Sequence, residues 1–290
     1  MIERISSKSE MRSAIAEAQR DGKTVGLVPT MGALHAGHLS LVHAACHRCD
    51  IVAVSVFVNP TQFGPSEDFE RYPRRVEADI ELLSAEGVEL VFTPSVEEMY
   101  GAGALVTVDP GPLALRWEGE VRPGHFAGAA TVVAKLFSIV RPDLAFFGEK
   151  DFQQLAIIKR LALDLDLGVG VVGCPIVRDA DGLALSSRNA FLSAEDRDRA
   201  LALCEALEAA ARALAWGERG GETLAIIMRE AAGARAPGAL TLDYAAVIDP
   251  ETLAPVATVD RPARAIIAGR VGSTRLIDNC ALVPPVGGAA

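Results

Sequence analysis

The apolar residues in the first half of the chain fall into short, nearly continuous runs at Thr24 to Val28, Ile51 to Val58, Val88 to Phe92, Leu144 to Phe147 and Val169 to Gly173. Strands buried on both faces of a parallel sheet have this pattern, whereas a sheet with one solvated face alternates apolar and polar positions. Stretches with helical spacing separate the runs, near Leu39 to His47, Arg75 to Glu86, Ala129 to Val140 and Phe152 to Leu165. Strand and helix in alternation predict a doubly wound α/β domain with a parallel sheet. In such sheets ligands bind beyond the carboxyl ends of the strands. Three polar clusters each follow a predicted strand, His35 to His38, Asn59 to Gln62 and Gly148 to Asp151, so they could converge on one crevice.

The texture changes at the polar, turn-prone run Val177-Arg178-Asp179-Ala180-Asp181-Gly182. Beyond it, Ala194 to Trp216 and Glu222 to Ala234 predict two helices, and Leu240 to Ile248, Arg264 to Ala268 and Thr274 to Ile277 predict short strands. This is the pattern of a small α+β domain, which places the first domain at 1–177 and the second at 178–290. A length of 290 residues, half of them hydrophobic, supports two separate cores.

Charge and cysteine usage narrow the function classes. A net charge of −10 argues against a general nucleic-acid binder, which carries a basic face. No apolar run approaches the roughly 18 residues of a membrane span, and Met1 to Lys8 lacks the apolar core of a signal peptide. A cytoplasmic protein without nucleic-acid or membrane partners is expected. The five cysteines, Cys46, Cys49, Cys174, Cys204 and Cys280, are odd in number and scattered, so free thiols are expected rather than a disulfide framework. Cys46 and Cys49 form a Cys-x-x-Cys, but no second ligand pair accompanies them, and they close a predicted helix instead of opening one. A redox or zinc role therefore ranks well behind that of small hydrophobes.

Several motifs point to phosphate chemistry. His35-Ala36-Gly37-His38 lies where a strand ends and a helix begins near Gly37; the first N–H groups of that helix lack intrahelical partners and its dipole is positive. Two imidazoles there can donate to phosphate oxygens, and the small residues between them let a ligand approach the backbone. In Phe146-Phe147-Gly148-Glu149-Lys150-Asp151 an ammonium and a carboxylate follow a strand end, suited to a phosphate and to a ribose or metal. The Gly-x4-Gly-Lys-Ser/Thr loop is missing, and the pattern Gly-x-Gly-x-x-Gly occurs only as Gly168-Val169-Gly170-Val171-Val172-Gly173, within a predicted strand instead of between a strand and a helix, so the commoner nucleotide folds gain no support. Leu185-Ser186-Ser187-Arg188-Asn189 offers two hydroxyls and a guanidinium for a polyphosphate, or equally a helix N-cap region, since Ser193 and Glu195 follow. Asn59 and Gln62 can hydrogen-bond a substrate hydroxyl or carboxylate, and Arg122-Pro123-Gly124-His125-Phe126 adds a cation and an imidazole; an Asn-Pro turn and an ordinary surface loop are the plainer readings.

Taken in order, His35-Ala36-Gly37-His38, Phe57-Val58-Asn59-Pro60-Thr61-Gln62-Phe63, Arg122-Pro123-Gly124-His125-Phe126, Phe147-Gly148-Glu149-Lys150-Asp151 and Ser186-Ser187-Arg188-Asn189 resemble the pantothenate synthetase (pantoate–β-alanine ligase) family across most of the chain. The resemblance implies a Rossmann-like nucleotidyltransferase domain followed by a smaller α+β lid-like domain. It also implies ATP, Mg²⁺, (R)-pantoate and β-alanine as ligands, AMP and pyrophosphate as products, a pantoyl adenylate intermediate and a homodimer through the first domain. ATP contacts are implied for Pro29-Thr30-Met31-Gly32-Ala33-Leu34-His35-Ala36-Gly37-His38, for Gly148-Glu149-Lys150-Asp151, and for Val177 with Leu185-Ser186-Ser187-Arg188. His35, His38, Lys150 and Arg188 are the implied catalytic residues, Gln62 and Gln154 the pantoate ligands, and Asn59, Arg122 and His125 further substrate-site residues. Asp79 matches an acidic position linked to Mg²⁺. Leu185 departs from the methionine frequent in the family, a volume-conserving change. A related nucleotidyltransferase acting on another small carboxylic acid is the alternative, and it should lack the Asn59/Gln62 and Arg122/His125 clusters.

Overall fold

The computed structural model describes residues 2–65 and 69–285. The chain divides into two compact units: residues 1–149 with 153–177, and residues 150–152 with 178–290. The division departs from a single cut at 177/178 by assigning Lys150 to Phe152 to the second unit.

The first unit runs β1 (Glu3–Ile5), α1 (Lys8–Arg20), β2 (Val25–Thr30), α2 (Ala36–Cys46), β3 (Ile51–Val56), α3 (Val76–Ala85), β4 (Leu90–Phe92), α4 (Val96–Tyr100), α5 (Glu118–Val121), α6 (His125–Val140), β5 (Leu144–Gly148), α7 (Phe152–Asp164, whose first residue falls in the second unit) and β6 (Gly170–Cys174). Its six strands are all parallel, in the order β1-β4-β3-β2-β5-β6. Neighbouring residues of one strand enter opposite cores. Leu27, Ala53, Phe92 and Phe147 pack with α1, α6 and α7, while Val28, Val54, Val91 and Phe146 join a cluster with α2 and α3. Two buried faces explain why the apolar runs show no alternation. Helix α6 is buried on almost every side, as a helix apolar all round must be. β1 and α1 are absent from the sequence expectations. β1 has only three residues, but α1 has signals: Ser7 accepts from the Glu10 N–H as its N-cap, and Met11, Ile15 and Ala18 are buried at helical spacing.

The second unit contains α8 (Ala194–Ala200), α9 (Ala202–Ala215), α10 (Gly221–Arg235) and the antiparallel sheet β7-β8-β9 (Leu240–Ile248, Ala263–Val271, Thr274–Leu282). Its core joins Ala245, Val247, Ala265 and Ile267 of the sheet to Leu203, Leu207, Leu224 and Met228 of the helices. The helix expected over Ala194 to Trp216 is two helices. Ala200, Ala202 and Leu203 are all buried, more than one stripe of a straight helix can bury, and the chain tightens at Leu201, whose N–H bonds the Asp198 carbonyl at 3.3 Å.

Candidate active site

Strand order reverses at β2, which has β3 on one side and β5 on the other, so the crevice such a sheet offers lies at the carboxyl ends of β2 and β5. β2 ends at Thr30, whose hydroxyl donates to the Ser55 carbonyl at 2.7 Å and accepts the Gly32 N–H at 3.2 Å. Met31 to Leu34 then form a turn in which Gly32 (φ +81°) and Ala33 (φ +52°) are left-handed. That turn delivers His35 to the N-cap of α2. His35 Nδ1 accepts the Gly37 N–H at 3.1 Å, and His38 Nδ1 accepts the His35 N–H at 3.3 Å, a reciprocal cap made by two imidazoles. With both Nδ1 atoms accepting, the neutral rings carry their proton on Nε2. The ring centroids lie 4.1 Å apart.

The 3₁₀ turn Pro60–Gln62 follows β3, and Asn59 organises it while almost wholly buried. Its Nδ2 donates to Gln62 Oε1 at 3.0 Å and to the Gly128 carbonyl at 3.2 Å; its Oδ1 accepts from Tyr100 Oη at 2.6 Å and Thr61 Oγ1 at 2.9 Å. Burial pushes the Tyr100 phenol up, which keeps it the protonated donor this bond needs. Because Asn59 donates to Gln62 Oε1, the Gln62 amide is fixed with Nε2 as its remaining donor, and that atom lies 3.2 Å from Met31 Sδ. Arg122 and His125 also bear on Gln62. His125 Nδ1 bonds its carbonyl at 2.8 Å, and an Arg122 amine donates to the same carbonyl at 3.4 Å, with Arg122 paired to Glu118 at 3.4 Å. Asn59, Arg122 and His125 therefore hold Gln62 in place. Tyr100, Thr61 and Gly128 belong to the same network and escape a reading of the sequence, which offers only isolated polar letters to go on. Gln154 is partly buried on α7, while its neighbour Gln153 is locked to the Leu113 and Arg116 carbonyls at 2.8 and 2.9 Å.

Gly148 ends β5 and Glu149 opens the 3₁₀ turn Glu149–Asp151, both in the first unit; Lys150 and Asp151 belong to the second. There the Lys150 carbonyl accepts Asn279 Nδ2 at 2.9 Å, Arg264 Nε donates to Asn279 Oδ1 at 2.7 Å, and the Arg264 guanidinium sits 4.4 Å from the Phe152 ring centroid. Val177 ends the first unit. Ser186 caps the 3₁₀ turn Ser187–Phe191, accepting the Arg188 N–H at 3.3 Å, and the preceding turn is braced by a bidentate Arg178–Asp278 pair at 2.7 and 2.9 Å. Arg197 adds bonds to Asp179 and Asp181 at 2.7 and 2.8 Å. Leu185 and Arg188 thus leave a rigid support that no motif announced.

Two of the sequence readings meet the geometry directly. The family resemblance links Asp79 to Mg²⁺, yet its buried carboxylate accepts the Ala33 N–H at 2.9 Å on one oxygen and the Leu34 N–H at 2.8 Å on the other. No group of three or more His, Cys, Asp or Glu side chains able to hold a metal occurs among the described residues. Asp79 therefore ties the Met31 to Leu34 turn to α3, whatever part it takes in holding Mg²⁺. The low rank given to a redox or zinc role for Cys46 and Cys49 agrees with their electrostatics. Desolvation and then the Glu89 and Glu86 carboxylates push the Cys46 thiol up, while desolvation and then Asp143 do the same to Cys49, disfavouring the thiolates that redox and zinc chemistry need. No helix among the described residues is long and apolar enough to cross a membrane.

A histidine-capped helix at the end of one central strand, beside an amide cluster at the end of the next, defines an α/β enzyme that handles a phosphorylated ligand and a small polar acid. The profile of the family Pantoate-beta-alanine ligase matches residues 3–281. A pantothenate synthetase of Rubrobacter xylanophilus is 54% identical over 95% of this chain and 97% of its own, and one of Geobacter sulfurreducens is 48% identical over 96% and 98%. Among solved structures, pantothenate synthetase from Thermus thermophilus superposes with a TM-score of 0.92 at 48% identity, covering 98% of this chain and 100% of that one. Pantoate-beta-alanine ligase from Francisella tularensis, solved in complex with β,γ-ATP and β-alanine, gives 0.80 at 33% identity over 99% of both. The chain belongs to the pantoate–β-alanine ligase family, and the AMP-forming ligation of pantoate with β-alanine is its activity.

Proposed function

We propose that the chain activates (R)-pantoate with ATP and that His35, His38, Gln62, Gln154, Lys150 and Arg188 divide the work. The pantoate carboxylate attacks the α-phosphorus, pyrophosphate leaves, and the β-alanine amine then attacks the acyl carbon of pantoyl adenylate and expels AMP. The observation that carries this reading is the double imidazole cap. Nδ1 of both His35 and His38 is an acceptor for backbone N–H groups, so both Nε2 atoms are donors, the polarity that phosphate oxygens require.

Gln62 suits the pantoate role, because Asn59 fixes its amide with the donor end uncommitted to Asn59. The first ATP segment in this reading is Pro29 to His38, with Gly148 and Glu149 at the end of β5. Lys150, Asp151 and Leu185 to Arg188 are the further nucleotide contacts in this reading. Negative charge grows on the phosphate oxygens and the leaving pyrophosphate during the first step. Preplaced imidazole, ammonium and guanidinium donors therefore act mainly on the transition state. No protein nucleophile is needed. Mg²⁺ would enter as the counter-ion of the nucleotide, as MgATP.

A homodimer through the first unit goes with the proposal; Leu105 and Val106 are largely exposed there and offer apolar surface for a second copy to bury. Five free thiols agree with a reducing, cytoplasmic setting. The test is isotope exchange between pyrophosphate and ATP. It should require pantoate and proceed without β-alanine, whereas cleavage of ATP to ADP, or exchange supported by another small acid and not by pantoate, refutes the reading.

A further inference from the structure

Asp79 lies in the first turn of α3, buried, in a chain whose activity calls for cations around phosphate. A buried carboxylate near an anion site is costly unless something compensates it. Here the compensation is local and complete on both oxygens: Oδ2 takes the Ala33 N–H at 2.9 Å and Oδ1 the Leu34 N–H at 2.8 Å. Two successive N–H groups converge on one anion only if the backbone bends the unusual way, and Gly32 and Ala33 both have positive φ. Ala33 is an L-residue held at φ +52°, a strained conformation that persists where the surroundings impose it. The fit is close, since a Cβ on Gly32 would stand 2.9 Å from Asp79 Oδ2.

We infer that Asp79 is a positioning residue, which clamps the Met31 to Leu34 turn and thereby sets where His35 and His38 present their Nε2 donors. The link is direct in the chain: Leu34 is followed by His35, whose N–H bonds His38 Nδ1. Each carboxylate oxygen holds one N–H of the turn, the two-point grip that a clamp requires. The inference rests on the reading of His35 and His38 as phosphate donors. It explains why an acid serves here: an amide has a single acceptor oxygen, so an asparagine side chain in its place would leave one N–H facing its own NH₂ group.

The test is Asp79→Asn, read in two ways. Hydrogen exchange of the 31–38 segment, in protein free of nucleotide and metal, should speed up by about 10-fold or more, while exchange in α9 stays unchanged. In the adenylation assay, kcat/KM for ATP should fall by about 10- to 100-fold while the Mg²⁺ concentration giving half-maximal rate at saturating ATP stays at its wild-type value. Adding Ala33→Gly, which removes the strain the clamp imposes, should recover part of the lost activity, and it provides a folded variant if Asp79→Asn alone is unstable. Wild-type exchange in the 31–38 segment, or a rise in half-maximal Mg²⁺, overturns the inference and leaves the histidine reading standing. Faster exchange with an unchanged kcat/KM for ATP overturns it the other way, because then the turn is clamped but its histidines do not serve ATP.

Discussion

Gly128 faces the turn that carries Gln62, and Gly128→Ala tests how tightly that turn must be held. A Cβ at this position would lie 2.2 Å from the Thr61 carbonyl oxygen, 2.4 Å from its carbon and 2.7 Å from the Gln62 nitrogen. All three are backbone atoms, so no side-chain rotation relieves the overlap. To bring the oxygen back to 3.0 Å, the 3₁₀ turn and α6 must separate by roughly 0.8 Å, and the Asn59 bond to the Gly128 carbonyl, already 3.2 Å, lengthens with it. A misplacement near 1 Å at a substrate-orienting group costs about 100-fold in rate. We expect kcat/KM for pantoate to drop by about that factor. Stability should move less: overpacking costs about 1–3 kcal/mol, against which alanine in a helix gains about 1 kcal/mol, leaving a net loss of up to about 2 kcal/mol. Gly233→Ala on α10 is the control, since nothing lies within 4 Å of its Cβ and it should stabilise by about 0.5–1 kcal/mol without kinetic effect. The assay varies pantoate at saturating ATP and β-alanine, with thermal melts alongside. A folded Gly128→Ala protein with wild-type kcat/KM for pantoate refutes the claim that the Gln62 turn is positioned through this contact.

Lys150→Ala and His38→Ala should each slow single-turnover formation of pantoyl adenylate by roughly 10²- to 10³-fold, about 2.7 to 4 kcal/mol, with the fold retained; wild-type rates would remove both from the chemistry. Cys46→Ser with Cys49→Ser should leave turnover intact and the purified wild-type protein free of stoichiometric zinc, so loss of turnover in a folded double variant would restore a role for the thiols. The Asp249 carboxyl is held below its usual range, chiefly by the Thr252 N–H, so its stabilisation is full above about pH 4 and fades as pH falls through its lowered folded value. Asp249→Ala should accordingly be less stable than wild type at pH 7, with the gap closing in melts below about pH 4; a gap constant from pH 7 to 3 would show that the charge is not what matters.

Much of the architecture is legible in the sequence because burial on two faces leaves a mark on composition. Phe146 and Phe147 enter different cores, and only a sheet covered on both sides needs both to be apolar. The strand-to-helix junction at His35 and His38 is legible too, since an apolar run ending in a Pro/Gly turn marks it. What stays hidden is anything set by long-range pairing. Asp79 is 46 positions from Ala33, and Asn279 is 129 positions from Lys150; an acid in a helix and an amide in a strand carry no sign of those partners. The same limit makes Asn59, Arg122 and His125 look like three independent substrate contacts, although all three converge on Gln62. The division of Ala194 to Trp216 into two helices is hidden for a related reason: alanine and leucine favour helix on both sides of Leu201, and only the packing of Ala200 and Ala202 interrupts it.

The overall charge of −10 and a polyanionic substrate are reconciled by distance. At physiological salt, exposed charges are screened beyond about 8 Å, so acids spread over the surface contribute little at the phosphates. The groups that matter are those within hydrogen-bonding reach, and within each unit the chain covers its buried acids with donors. The Asp79 carboxylate is covered by two N–H groups, and Asp278 is covered by both amines of Arg178. A positioning carboxylate beside an anion site is tolerable only under that condition. Removing Arg178, the partner of buried Asp278, should therefore do more harm than removing the cation that pairs a surface acid, a ranking that kcat/KM for ATP in Arg178→Ala against Arg160→Ala, whose Asp164 partner is half-exposed, would decide.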